Sequence, residues 1–200
     1  MKTVLMFLAS AVVLTIAAAS TPGLTITAGL SSALSRALEA TRVNSHTGRN
    51  PIGADYVISK IDASIVKAFR TAWIHSGGGT SPHEGVVLIL RMADGTYFGK
   101  DLGSSNEYKR FTFQWHPATI GIVHTHPNTS DPKPHDEDLN VADKYSVPVF
   151  TITRAGMYVY DPTTRRIDRV LGGLDWLDAS KFSKTMFARG NANSHPAENR

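Results

Sequence analysis

Cysteine is absent from this 200-residue chain, which excludes a disulfide framework, a thiolate metal site and a cysteine nucleophile. Any metal must then be held by His, Asp, Glu or water. Blocks of like charge are missing too: 21 Lys and Arg stand against 17 Asp and Glu, and the resulting +4 charge is scattered along the chain. Scattered basicity describes a solvated surface, so nucleic acid is not expected as a partner. No Gly-x-Ser-x-Gly elbow is present to support a serine nucleophile. Gly77-Gly78-Gly79 lacks the Lys-Ser/Thr ending of a phosphate loop. There is no internal repeat and no sign of a second domain. With 42% hydrophobic and 19% charged residues, the composition is that of one globular core with terminal extensions.

The long apolar run that does occur lies at the N-terminus. Lys2 precedes Val4 to Ala19, and Ala17-Ala18-Ala19 followed by Ser20-Thr21-Pro22-Gly23 supplies a small-residue cleavage context and then a helix break. This reads as a signal peptide over residues 1–19. An uncleaved single-span anchor is the competing reading, because the run approaches the roughly 20 residues that cross a bilayer. Either exports the domain, to the periplasm or beyond. Membrane association is expected only if the segment stays uncleaved. Residues 20–52, rich in Ser, Thr, Ala and Gly, are expected to be a linker, 53–172 the folded domain, 173–190 a C-terminal helix and 191–200 a disordered tail. The sequence carries no signal for oligomeric state.

Within the domain, Ala54 to Ile74 carries Ile58, Ile61, Ile65, Val66, Phe69 and Trp73 at helical spacing, which predicts one amphipathic helix ended by the glycine run. Gly85 to Arg91 is a short apolar run rich in β-branched residues, as a buried strand requires. Asp94-Gly95 marks a hairpin into Thr96-Tyr97-Phe98. Arg110 to Trp115 alternates aromatic and polar residues and reads as a strand, as does Thr119 to His124. Pro127 to Pro134, with three prolines, must be a loop, and His135 to Tyr145 is helix-compatible with Asp136, Glu137 and Asp138 in its first turn. A hairpin around Arg154-Ala155-Gly156 and an edge strand from Arg166 to Leu171 follow. Trp176 to Ala188 looks helical. Phe111, Phe113, Trp73 and Trp115 are expected in the core.

The chemistry centres on His124-Thr125-His126-Pro127. Alternate residues of a strand point to one face, so the two imidazoles can converge on one ion. Catalytic zinc sites keep three protein ligands and leave a position for water, and Asp138 at the next helix start is a suitable third donor. Glu84 stands directly before the first strand. The bland reading of Glu84 is a solvated strand-end carboxylate. His83 is expected at the surface, and His75 and His116 are expected to be structural.

These residues resemble the motif of the JAMM, or MPN-plus, metalloproteases: an upstream Glu, then His-x-His-Pro, seven residues, Ser, two residues and Asp. Glu84 precedes His124-Thr125-His126-Pro127, Asn128 to Pro134 supply the seven, and Asp138 closes the spacing. The resemblance covers roughly Ile52 to Leu171. It implies that His124, His126 and Asp138 ligate Zn2+ and that Glu84 shuttles a proton in hydrolysis of a peptide or isopeptide bond in a peptide or protein substrate. It also implies an α/β fold with a curved mixed sheet flanked by helices, shared with cytidine deaminases. Deaminase chemistry itself is excluded by the missing His-x-Glu and Pro-Cys-x-x-Cys elements. One position departs from the motif, since His135 stands where the family has its serine. It is expected to serve the oxyanion as a donor, or to act as a fourth ligand, or merely to begin the helix while Ser130, Thr129 or a backbone N–H serves the oxyanion. The alternative function is a catalytically silent protein-binding domain on the same fold.

Overall fold

Six strands, β1 (Gly85–Arg91), β2 (Tyr97–Ser104), β3 (Thr119–Thr125), β4 (Val149–Thr153), β5 (Gly156–Asp161) and β6 (Arg166–Gly172), form one mixed sheet in a computed structural model that describes residues 49–105 and 111–187. The expected signal segment, residues 20–48 of the expected linker and the 191–200 tail lie outside the described residues. Strand order is β2-β1-β3-β4-β5-β6, antiparallel throughout except for the parallel β3–β4 pair. With its helices this is an α/β fold. Among the described residues no helix is long and apolar enough to cross a membrane.

The helical stretch predicted over Ala54–Ile74 is two helices, α1 (Ala54–Ile58) and α2 (Ala63–His75). Asp62 makes the break: its carboxylate accepts from the N–H groups of Ser64 and Ile65 at 2.9 and 3.0 Å, which caps α2 and ends helical continuity. The apolar stripe survives the break because Ile61 in the connection is fully buried. Ile65, Phe69 and Ala72 of α2 pack in one cluster with Val87, Val123, Phe150 and Ile152 on one face of the sheet. The opposite face carries Val86, Leu88, Ile122 and Val149, which pack with Ala142 and Leu139 of α3 (Asp136–Tyr145). Strands β1 and β3 are buried almost end to end because both of their faces are covered.

Two expected elements are corrected. Residues 111–116 form no strand; they cross the α3 face, where Phe111, Phe113 and Trp115 are half-buried and Thr112, Gln114 and His116 exposed. The alternation there reflects an apolar surface beneath and solvent above, without a ladder partner. The helix expected over Trp176–Ala188 is interrupted. Asp175–Leu177 is a short 3-10 turn, and the Asp178 carboxylate accepts from the Ser180 N–H and hydroxyl, so helical backbone resumes only at residue 185, and residues 188–190 of the expected helix lie outside the described residues. Trp176 is nonetheless core, edge-on to Phe69 at 6.4 Å.

Candidate metal centre

The residues that bear chemistry meet where β3 runs out. Val86 pairs with His124 in the β1–β3 ladder, and the Gly85 N–H donates to the Thr125 hydroxyl at 2.9 Å. These two contacts lock the start of β1 to the end of β3, so Glu84 lines one cavity with His124 and His126. Gly85 is required there, because a Cβ would lie 2.3 Å from the Ala72 carbonyl oxygen of α2. The α2 helix can therefore lie directly on the strand that carries Glu84.

His124 and His126 are 6% and 2% exposed. Their Nε2 atoms stand 2.9 Å apart, and the Asp138 carboxylate reaches His124 Nε2 at 3.3 Å and His126 Nε2 at 3.8 Å. A tetrahedral ion with ligand bonds of about 2.0–2.2 Å needs donors roughly 3.3 Å apart. The observed spacing fits. The orientation of His126 is fixed by its other nitrogen, Nδ1, 2.8 Å from the Asp131 carbonyl oxygen. A carbonyl can only accept, so Nδ1 carries a hydrogen and Nε2 is the nitrogen left to ligate an ion beside His124 and Asp138. Asp138 is itself held by the His135 N–H, which donates to its Oδ2 at 2.8 Å. Among the described residues these three form the one group of His, Asp and Glu side chains with mutually convergent donor atoms. That buried group can hold a metal ion.

Its electrostatics favour positive charge at His124 and negative charge at Asp138. Burial works against a charged imidazole at His124, but Asp138 and then Glu84 outweigh it and hold the pKa up at about 9. Burial likewise disfavours the Asp138 carboxylate, yet His124, His126 and the His135 N–H keep it well below the usual carboxylate range. In the metal-free protein a proton neutralises what an ion would neutralise on binding.

The loop from Pro127 to Pro134 is tied at both ends. The Asn128 N–H donates to the Gly79 carbonyl at 2.8 Å and its side-chain amide to the Gly78 carbonyl at 3.1 Å. Gly79, at φ +75°, packs so tightly that a Cβ would meet Asn128 Oδ1 at 2.7 Å. Further along, the Thr151 hydroxyl of β4 donates to the Pro132 carbonyl at 2.6 Å. The glycine run that ends the predicted helix is thus a fitted turn against the Pro127–Pro134 loop.

The cavity, about 440 Å³, is lined by Glu84, His124, His126, His135 and Asp138 together with apolar side chains from the sheet, from α3 and from Phe111 and Phe113. All five residues singled out from the sequence therefore share one space. His135 is exposed, with its ring 4.7 Å from that of His126, and lies outside the convergent donor group. Thr129 and Ser130, the other side chains considered for the oxyanion, do not line the cavity. Of the remaining histidines, His75 pairs with Asp101 at 3.4 Å and His116 Nδ1 accepts from the Ala118 N–H. His83 is half-buried. Phe111 and Phe113, expected in the core, are half-buried walls of the site, and Lys144 and Tyr145 of α3 line it as well. The Phe111/Phe113 alternation, lacking a partner strand, was the only local signal for them. Comparison of the chain with protein families, curated proteins and solved structures finds no match in any of the three.

Proposed function

We propose that this protein is an exported zinc metallopeptidase or isopeptidase of the JAMM/MPN-plus type, with the JAB/MPN arrangement of sheet and helices. The observation that carries the reading is the convergence of His124, His126 and Asp138 in a cavity that also holds Glu84. Two imidazoles and a carboxylate suit zinc among the common ions. When bound by these residues, zinc would lower the pKa of water toward about 7 and polarise a carbonyl.

Glu84 does the proton work. Its carboxylate, in the cavity that His124 and His126 line, accepts a proton from the water that attacks the scissile carbonyl carbon. It returns that proton to the amide nitrogen as the C–N bond breaks. His135, on the rim and in the place of the motif serine, donates to the developing oxyanion. Asp131 and the His135 N–H orient the ligand side chains. The half-buried aromatic walls suit a peptide or protein substrate, and export rests on the Met1–Ala19 segment.

The test is a peptide-library cleavage assay on zinc-supplemented protein with metal analysis alongside. About one zinc per chain is expected, with turnover lowered roughly 10²–10⁴-fold in Glu84→Gln while the metal is retained. Equal cleavage by both proteins would remove Glu84 from the mechanism. A wild-type protein that takes up no zinc would sink the reading altogether. Metal uptake with no cleavage of any peptide would favour the silent, protein-binding alternative.

A further inference from the structure

Beyond the ligands, α3 presents a second row of side chains to the cavity: Glu137, Val141 and Lys144, at helical spacing along one stripe. Lys144 lies six positions beyond Asp138, about 9 Å along the helix axis. Its ammonium rests over the Tyr145 ring at 5.1 Å, and that ring stacks on Trp115 at 4.1 Å and an interplanar angle of 11°. The cation is thereby seated on a stacked aromatic pair. Among the described residues it has no carboxylate within ion-pair distance, although Glu84, Glu137 and Asp138 line the same cavity. A positive charge at the end of a cavity whose metal end is acidic gives the space a fixed polarity.

We propose that Lys144 sets substrate specificity by pairing with an acidic group about three residues from the bond that is cleaved. The reach follows from geometry, since an extended peptide advances about 3.3 Å per residue and must span about 9 Å between the ligand end and Lys144. Val141, between the two charges, favours an apolar residue in the intervening stretch. Glu137, at the metal end of the stripe, disfavours an acidic residue next to the scissile bond, so the same helix rejects the reversed placement. The acidic group is a side-chain carboxylate or a free chain terminus, which share the chemistry that Lys144 reads. The inference rests on the peptidase reading and specifies its substrate class.

The experiment has a binding arm and a cleavage arm. Fluorescently labelled peptides with Asp, Asn or Lys placed two, three or four residues from the cleaved bond, each as free acid and as C-terminal amide, are titrated onto the Glu84→Gln protein and digested by wild type. Acidic peptides are expected to be favoured roughly three- to fivefold over neutral ones, as suits a partly exposed charge pair, with the preference inverted toward Lys in Lys144→Glu. Loss of preference on amidation alone assigns the chain terminus, and persistence assigns the side chain. Cleavage or binding without an acidic preference, or a preference that Lys144→Glu leaves in place, overturns the inference while the peptidase reading stands. If no peptide is bound or cleaved by any variant, both fall together.

Discussion

On one face of the sheet, α2 lays Ile65, Phe69 and Ala72 into a cluster with Val87, Val123 and Phe150, and all six are at most 1% exposed. On the other, α3 and the aromatic segment around Phe111 cover the strands only in part, leaving a cavity that opens onto His124, Glu84 and Asp138. The first face is packed for stability, where any lost volume is felt. The second gives up packing for access, and the buried imidazoles of His124 and His126 are tolerated there because each has a polar partner. A site with two nearly buried imidazoles is tolerable because the opposite face holds the strands in register.

The sharpest way to separate the faces is to remove a ligand. His126→Ala should abolish stoichiometric metal uptake, measured by metal analysis after dialysis, while far-ultraviolet circular dichroism stays that of the folded protein. If the variant retains one ion per chain, the site lies elsewhere. On the packed face the converse is expected. Phe69→Ala, which empties a fully buried position against Trp176, should cost about 3–5 kcal/mol in denaturant unfolding and leave metal stoichiometry unchanged under native conditions.

Gly85→Ala should join the two faces. The new methyl meets the Ala72 carbonyl oxygen, so α2 or β1 must give way at a cost of about 1–3 kcal/mol, and Glu84 moves with its neighbour. A loss of turnover larger than the loss of metal affinity is the expected signature. Unchanged stability and turnover would show that the helix is not seated on the strand as described.

The smallest effect is a proton. The folded pKa of His124, about 9, lies above its ordinary 6.5, so its contact with Asp138 contributes stability in full below about pH 6.5 and loses it as pH rises through 9. The depressed Asp138 contributes above its ordinary 3.8 and loses that contribution as pH falls. These are two views of one contact, so the metal-free protein should be most stabilised by it between about pH 4 and 6.5. The same shift means that a metal ion must displace the His124 proton near neutrality. Calorimetry in buffers of different ionisation enthalpy should show about one proton released per ion at pH 7.5, and a release that grows rather than shrinks toward pH 9 would contradict it.

Much of the site was written locally. His124 and His126 fall on one face of a β-branched run, Asp138 falls in the first turn of an acidic helix start, and Asp94-Gly95 makes its hairpin, because strand alternation, first-turn charge and turn chemistry act over a few residues. What the sequence could not supply were contacts made across the chain. The break at Asp62 needed the choice of its carboxylate between a helix interior and a cap. The parallel joining of β3 to β4, the Asp131 carbonyl that sets the His126 tautomer, the Gly79 turn under Asn128 and the conversion of Phe111 and Phe113 from expected core to cavity wall all depend on surfaces that exist only once the sheet is assembled. Residue identity by itself determined which groups could bind a metal. The tertiary structure decided which of them meet, because donor convergence within a few ångströms is fixed by strand register and helix placement, and neither is a property of any short stretch of sequence.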